Sequence, residues 1–553
     1  MALLERRIGL LFAAFLVLLL VAGGRALWLG GVRSGSLASA ATSQQVSSTA
    51  LPAARGSIVD RKGNPLAVSE PAADVSATPY QVKDPIKAAE KLAPVLGQTP
   101  EALVQKLARK DTGFVYLARD IPAARAAKVE RLKLAGIFLA PGHLRFYPRE
   151  FLAAQLLGSV GTDGNGLSGL EYEHNKALTG TDGERRLVKD ALGQSINVRD
   201  TKPAHPGNRI ELTIDAAIQD EVERVLSKVG QAYRPKGATA IVMDPRDSEV
   251  LAMANWPRID ANDPGAAPAY AAQNRAVGAT YEPGSTFKAV TVAGALEENV
   301  VKPDSKFVLP PQIQVADRTI GESHARGTEE LSTAQILAQS SNVGAITIGL
   351  REGKQRFDKW VRRFGFGKPT GVDLPGEERG IVLPVDKYSG SSMGNLPIGQ
   401  GIAVTPMQMA QAYAAIANGG ILRAPQVVRR IGGKRVDAAK GHRVISRKTA
   451  YQLRTMLEGA FAPGGTASEV SIPGYKLAGK TGTANKIDPK TGEYSQSAYV
   501  ASFIGFAPAL HPRLLIAVMV DEPHGAIYGG TVAAPAFGQI ASFALPYLRI
   551  PPG

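Results

Sequence analysis

The chain has 553 residues, enough for two or more domains, with hydrophobic (44%) and charged (20%) content ordinary for a globular protein. A formal net charge of +15 suits anionic partners, but no basic run with interleaved aromatics appears, so a diffusely basic surface fits better than nucleic-acid binding. The absence of cysteine excludes disulfides, thiolate metal sites and cysteine nucleophiles.

The first element is an uncharged apolar run from Ile8 to Gly24, IGLLFAAFLVLLLVAGG. As a helix it is about 25 Å long, short of a membrane core of about 30 Å unless Ala26 to Leu29 extends it. Arg25 is placed to snorkel and Trp28 to sit at the interface. The pattern predicts an uncleaved signal anchor over 8–29 behind a short cytoplasmic tail, 1–7. A cleaved signal peptide competes, because Ala38-Ser39-Ala40 resembles a cleavage site, although it lies well beyond the apolar run. Positive charges nearly balance across the run, with Arg6 and Arg7 before it and Arg25 and Arg33 after it. Placement of the body outside the cytoplasm therefore rests on the chemistry further along. Residues 30–54 are small and polar and predict a flexible spacer.

From Arg55 two apolar stretches flank Lys62-Gly63-Asn64-Pro65, the signature of a β-hairpin. Residues 86–110 and 123–134 read as helical. Gly161, Gly164, Gly166 and Gly169 match no nucleotide fingerprint, which favours a packed structural turn over a phosphate cradle. A second domain is expected from residue 206. Ile210 to Ile214 alternates like a strand, and Asp215 stands as the cap of a helix over 216–229. Two hairpins follow, 238–243 with 249–254 and 499–506 with 514–520. Together these elements predict an α+β protein: one N-terminal transmembrane helix, an elongated α+β module over 55–205, and a domain over 206–550 in which an antiparallel sheet packs between helices.

Between those strand pairs lies Ser285-Thr286-Phe287-Lys288, the one S-x-x-K of the chain. A serine and a lysine three apart share one helix face. The apolar run from Ala289 to Leu296 predicts a buried helix, which makes a charged Lys288 costly and lowers its pKa. A neutral lysine beside a serine hydroxyl is a base beside a nucleophile. The alternative is a serine that caps a helix whose lysine is solvated. Ser340-Ser341-Asn342 falls within an apolar helical stretch, 334–350, and reads either as a small polar helix junction or as a proton relay with an amide contact. Lys480-Thr481-Gly482-Thr483 follows a plausible strand, Tyr475 to Ala478. There Lys480 and Gly482 share one face, Thr481 and Thr483 the other, and Gly482 is expected to admit a substrate backbone. Ser195-Ile196-Asn197 lies upstream of Ser285, and Lys490-Thr491-Gly492 sits in a polar turn, so both are read as decoys. The seven histidines are scattered, so no metal site is expected.

These three motifs, in this order, resemble the active site of penicillin-binding proteins and serine β-lactamases. Arg55 to Ala67, Arg145-Phe146-Tyr147-Pro148, Gly166 to Glu171 and Leu212 to Asp215 resemble the N-terminal module of class B penicillin-binding proteins. Gly399 to Pro406, Asp521-Glu522-Pro523 and Tyr528 to Phe537 resemble the division-specific type. The resemblance implies a peptidoglycan D,D-transpeptidase that crosslinks stem peptides ending in D-Ala-D-Ala during septal wall synthesis and is inhibited covalently by β-lactams. It implies Ser285 as nucleophile, Lys288 as base, and Ser340 with Lys480 as proton relay. Asn342, Thr481, Gly482 and Thr483 hold substrate, with no cofactor. It further implies a membrane-embedded glycan polymerase and other divisome proteins as partners. An elongation-type transpeptidase, a β-lactam hydrolase or sensor, and a non-catalytic division scaffold are the competing readings. The absence of E-x-x-x-N between Ser340 and Gly401 speaks against a deacylating glutamate.

Overall fold

In the computed structural model, which describes residues 2–35, 46–189 and 195–552, the chain passes repeatedly between two units. Residues 1–54, 71–144 and 180–206 form the first, and residues 55–70, 145–179 and 207–553 the second. The segments 55–70 and 145–179, assigned above to the N-terminal module, thus pack with 207–553. The physical reason is shared core: Ile58, Leu66, Tyr147, Leu156 and Leu170 are buried in one cluster with Ile210, Leu212 and Val428.

The first unit begins with the helix Ala2–Leu27, whose apolar side chains are exposed from Leu4 onward; the stretch Leu4–Val32 is long and apolar enough to cross a membrane. Part of the expected spacer is not one. Val46–Leu51 is a strand paired antiparallel with Gly183–Lys189, which pairs in turn with Ser195–Lys202. Residues 36–45, including Ala38-Ser39-Ala40, lie outside the described residues. The helix expected over 86–110 is two, Pro85–Leu96 and Pro100–Leu107. Gly97 ends the first in the left-handed region (φ 69°), and the Thr99 hydroxyl caps the second. They pack with Ala123–Arg131 and Val115–Pro122 around Leu92, Leu103, Leu117 and Val129.

The second unit is built on a five-stranded antiparallel sheet in the order Glu249–Trp256, Gly237–Asp244, Leu514–Asp521, Tyr494–Ala507, Ala478–Ile487. Both predicted hairpins are in it. Its faces follow the strand period of two. Leu514, Ile516, Val518 and Val520 meet the helices Ala216–Tyr233 and Gly529–Tyr547, whereas Leu515, Ala517 and Met519 face the opposite core. There lie Lys288–Glu297 and Pro406–Ala417, both buried on all sides. Asp215 caps its helix as expected, accepting from the amides of Ala217 (3.1 Å) and Ile218 (3.5 Å). The Lys62-Gly63 turn is closed by Asp60, whose carboxylate accepts from the Lys62 and Asn64 amides at 2.8 Å each. The glycine-rich loop is a structural turn: a Cβ on Gly166 would overlap the carbonyl of Glu171. The Glu171 carboxylate, fully buried, accepts from Arg55 at 2.6 Å and from Arg145 at 2.7 Å.

Candidate active site

Ser285 lies in a 3₁₀ turn, Gly284–Phe287, that runs directly into the helix Lys288–Glu297. In a 3₁₀ turn residues i and i+3 eclipse, so Ser285 stands above Lys288 more directly than an α-helix would place it. The turn is wedged on both sides. Gly284 has φ 54°, and a Cβ there would stand 3.0 Å from the Thr483 carbonyl; a Cβ on Gly399 would overlap the Gly284 carbonyl. Gly284 N donates to Gly399 O at 3.0 Å, and the buried Tyr413 hydroxyl donates to Thr286 O at 2.7 Å.

The helix expected over 334–350 is broken at the motif it carries. Thr333–Ala338 and Asn342–Glu352 are separate helices, and Ser340 between them has φ 64°. A left-handed serine costs on the order of 1–3 kcal/mol. The break aims the Ser340 carbonyl at Lys288 and frees Ser341 to cap the second helix, accepting from Gly344 N at 2.9 Å. Lys288 Nζ donates to Ser340 O at 2.6 Å and to Asn342 Oδ1 at 2.7 Å, with Ser340 Oγ at 3.3 Å. Asn342 Nδ2 donates to Gly321 O at 3.0 Å. Burial and the Lys480 charge hold Lys288 well below the ordinary lysine range, with Glu322 opposing and Arg326 adding to the effect.

Lys480 to Thr483 lie within the edge strand Ala478–Ile487, not beyond its end. Burial pushes the Lys480 ammonium down to about 7. Its Nζ donates to Thr481 O at 3.2 Å and contacts Thr481 Oγ1 at 3.4 Å. Thr481 Oγ1 is held by Thr466 Oγ1 at 2.8 Å, and Thr483 Oγ1 accepts from Gly529 N at 3.1 Å. Gly482 has a packing reason beyond the one expected: a Cβ would overlap Ser502 Oγ and stand 2.9 Å from the Pro283 carbonyl. It lets the strand seat against the serine turn.

Ser285, Ser340, Asn342, Thr481 and Thr483 line one cleft of about 500 Å³, whose lining includes the rings of His324 and Tyr528, 5.3 Å apart. Lys288, Lys480 and Gly482 are buried behind its wall. The eight residues singled out from sequence therefore converge. A hydroxyl at the surface of a cleft, backed by two buried lysines that resist protonation, is suited to acyl transfer. Thr466, His324, Glu322 and Arg326 escaped the sequence reading, because each sits in a polar loop without periodicity or motif; Tyr528 stood in a motif of the resemblance but was given no place in the site. The decoys stay apart. Lys490-Thr491-Gly492 is an exposed hairpin tip, and Ser195 opens a strand of the first unit. Gly390 to Gly394 also spells G-x-S-x-G, but it follows no strand, and Ser392 Oγ accepts from Ser389 N at 2.9 Å. Among the described residues no cluster of His, Asp and Glu is arranged for a metal ion.

Residues 238–542 match the family model of the penicillin-binding protein transpeptidase domain, and residues 50–212 that of the penicillin-binding protein dimerisation domain. Stage V sporulation protein D of Bacillus subtilis is 36% identical over 90% of this chain and 79% of its own length. Peptidoglycan D,D-transpeptidase FtsI of Escherichia coli is 32% identical over 99% of this chain and 92% of its own. The crystal structure of penicillin-binding protein 3 from Mycobacterium tuberculosis complexed with ampicillin superposes with a TM-score of 0.72 at 31% identity, covering 91% of this chain and 97% of that one.

Proposed function

This chain belongs to the penicillin-binding protein transpeptidase family, and from that premise we propose how its cleft works: as the site of a class B, division-type peptidoglycan D,D-transpeptidase. The observation that carries the reading is one cleft lined by Ser285, Ser340, Asn342, Thr481 and Thr483, with Lys288 and Lys480 buried behind it.

Ser285 Oγ attacks the carbonyl of the penultimate D-Ala of a stem peptide, and its proton passes to Lys288. A neutral amine has two hydrogens. Ser340 O and Asn342 Oδ1 accept both, at 2.6 and 2.7 Å, which leaves the lone pair for the serine proton. The amides of Ser285 and Thr483 bind the developing oxyanion, each donor contributing about 3 kcal/mol. Ser340 and Lys480 deliver a proton to the leaving amine, and the C–N bond breaks to release the terminal D-Ala. Asn342 holds the donor amide, while Thr481 and Thr483, on the glycine-relieved strand at Gly482, bind the terminal carboxylate. An amine of a neighbouring stem peptide then attacks the acyl-enzyme, forms the crosslink and returns the serine hydroxyl. β-Lactams acylate the same atom.

The apolar run 8–29, within the stretch Leu4–Val32, anchors the chain in the cytoplasmic membrane by a single pass, with the tail 1–7 inside and the catalytic body outside, where the peptidoglycan is. The N-terminal module meets the glycan polymerase and other divisome proteins. Intact-mass analysis after exposure to penicillin tests the central claim. One stable adduct per chain, absent from Ser285→Ala, is the expected result; a folded wild-type protein that takes up no adduct overturns it.

A further inference from the structure

We propose that Glu322 is a positioning residue of this site, which fixes the Ser340–Asn342 turn and supplies the counter-charge to the buried Lys288. The inference rests on the transpeptidase reading above and adds to it a residue outside the three motifs.

Glu322 follows the strand Arg318–Gly321, and its carboxylate is turned into the break between Thr333–Ala338 and Asn342–Glu352. There it accepts from Ser341 Oγ at 2.6 Å, Asn342 N at 2.6 Å and Val343 N at 3.2 Å. A helix has unsatisfied amides in its first turn, and a carboxylate is the strongest acceptor for them. Here the same contact has a second effect. Asn342 is fixed on one side by Glu322 through its backbone and by Gly321 O through its side chain, and on the other it presents Oδ1 to Lys288. The left-handed Ser340 is held between Lys288 and the capped helix. The lysine, its carbonyl acceptor and its amide acceptor are thus referred to one carboxylate.

The charges that act on Lys288 are Lys480 from the edge strand, Arg326 from the loop and Glu322; Glu322 is the one anion among them. Arg326 pairs with Glu322 and with Glu329, at 2.6 Å in the second case. Burial alone would raise the Glu322 carboxyl, but hydrogen bonds from Ser341, Arg326 and the Asn342 amide outweigh it and hold the group ionised.

The experiment uses the full chain in detergent and follows the rate at which a fluorescent penicillin acylates Ser285 between pH 5.5 and 9.5. Glu322→Gln keeps the shape and removes the charge, so Lys288 gives up its proton more readily and the acid limb moves to lower pH by about one unit. Arg326→Gln removes a neighbouring cation and moves the limb the other way. Glu322→Ala also releases the turn and slows acylation by about 10²-fold, the loss expected of a misplacement near 1 Å. A cap with a purely structural role would change the melting midpoint and leave both limbs where they are. Limbs of Glu322→Gln and Arg326→Gln that superpose on wild type overturn the proposal, as does full acylation by a folded Glu322→Ala. If none of the proteins, wild type included, is acylated at Ser285, it is the transpeptidase reading that fails.

Discussion

Replacing Glu352 by Gln should stabilise this protein, and by an amount that depends on pH. Glu352 is 1% exposed and lies on the helix Asn342–Glu352 against Gly294 of the Lys288 helix and the ring of Trp360; neither carboxyl oxygen has a hydrogen-bond partner. Burial, with the charge of Glu298 adding and Arg356 and Lys359 opposing, pushes its pKa up to about 8 from an unfolded value of 4.5. Below 4.5 the carboxyl is neutral in both states and contributes nothing to pH dependence. As pH rises the unfolded chain ionises while the folded one holds its proton, so stability is lost, at about 1.4 kcal/mol for each pH unit crossed. The loss reaches about 3 kcal/mol at pH 7 and levels near 5 kcal/mol above pH 8, as upper values. Glutamine has the shape of the protonated acid and no ionisation to suppress. The thermal midpoint of Glu352→Gln should match wild type at pH 4.5 and exceed it at pH 8 by several degrees, taking about 1–2 °C per kcal/mol for a unit this large. Differential scanning fluorimetry of both proteins across that range is the assay. A gap that stays constant with pH refutes the reasoning, because it leaves a change in packing as the cause.

Acylation of wild type by penicillin should fall as pH drops below about 7, where the Lys480 ammonium forms; a flat profile from pH 5.5 to 9 contradicts the role given to that lysine. Glu171→Ala should cost about 3–5 kcal/mol, because it leaves Arg55 and Arg145 buried without their anion; a urea midpoint unchanged from wild type speaks against it. Gly284→Ala should retain the fold and lose acylation, since an alanine at φ 54° costs about 1–2 kcal/mol and its methyl presses on the Thr483 carbonyl; stopped-flow acylation beside circular dichroism separates the two effects.

Much of this site could be read from the chain, for a definite reason. The residues proposed as nucleophile, base, relay and carboxylate holders belong to three short motifs, and each motif must bring its groups together within a turn or along a strand. Periods of 3.6 and 2 are visible in a sequence. The strand Leu514–Asp521 was legible as a short unbroken apolar run, because both of its faces are buried in cores. What was not legible is set by distant contacts. The break at Ser340 depends on Lys288 and Glu322, which meet it from other parts of the chain, so the apolar run around it predicted one unbroken helix. The strand Val46–Leu51 is polar and small by composition and becomes a strand only because Gly183–Lys189 pairs with it. Glu322 is one acidic residue in a polar loop, and only the amides waiting at the helix break give it meaning.

The order of strands in the central sheet has a consequence for biosynthesis. Leu514–Asp521 lies between Gly237–Asp244 and Tyr494–Ala507, and Ile58 pairs in its own sheet with Ile210. At about 5–20 residues per second, the interval between synthesis of the serine turn and of the strand that completes its sheet is on the order of tens of seconds. Until then the edge strand bearing Lys480 has only Tyr494–Ala507 to pair with, and the pair is not joined to Gly237–Asp244. A nascent chain therefore carries the Ser285–Lys288 turn before it has the groups that line the cleft with it. The cleft is complete only once its lining residues through Thr531 have been made.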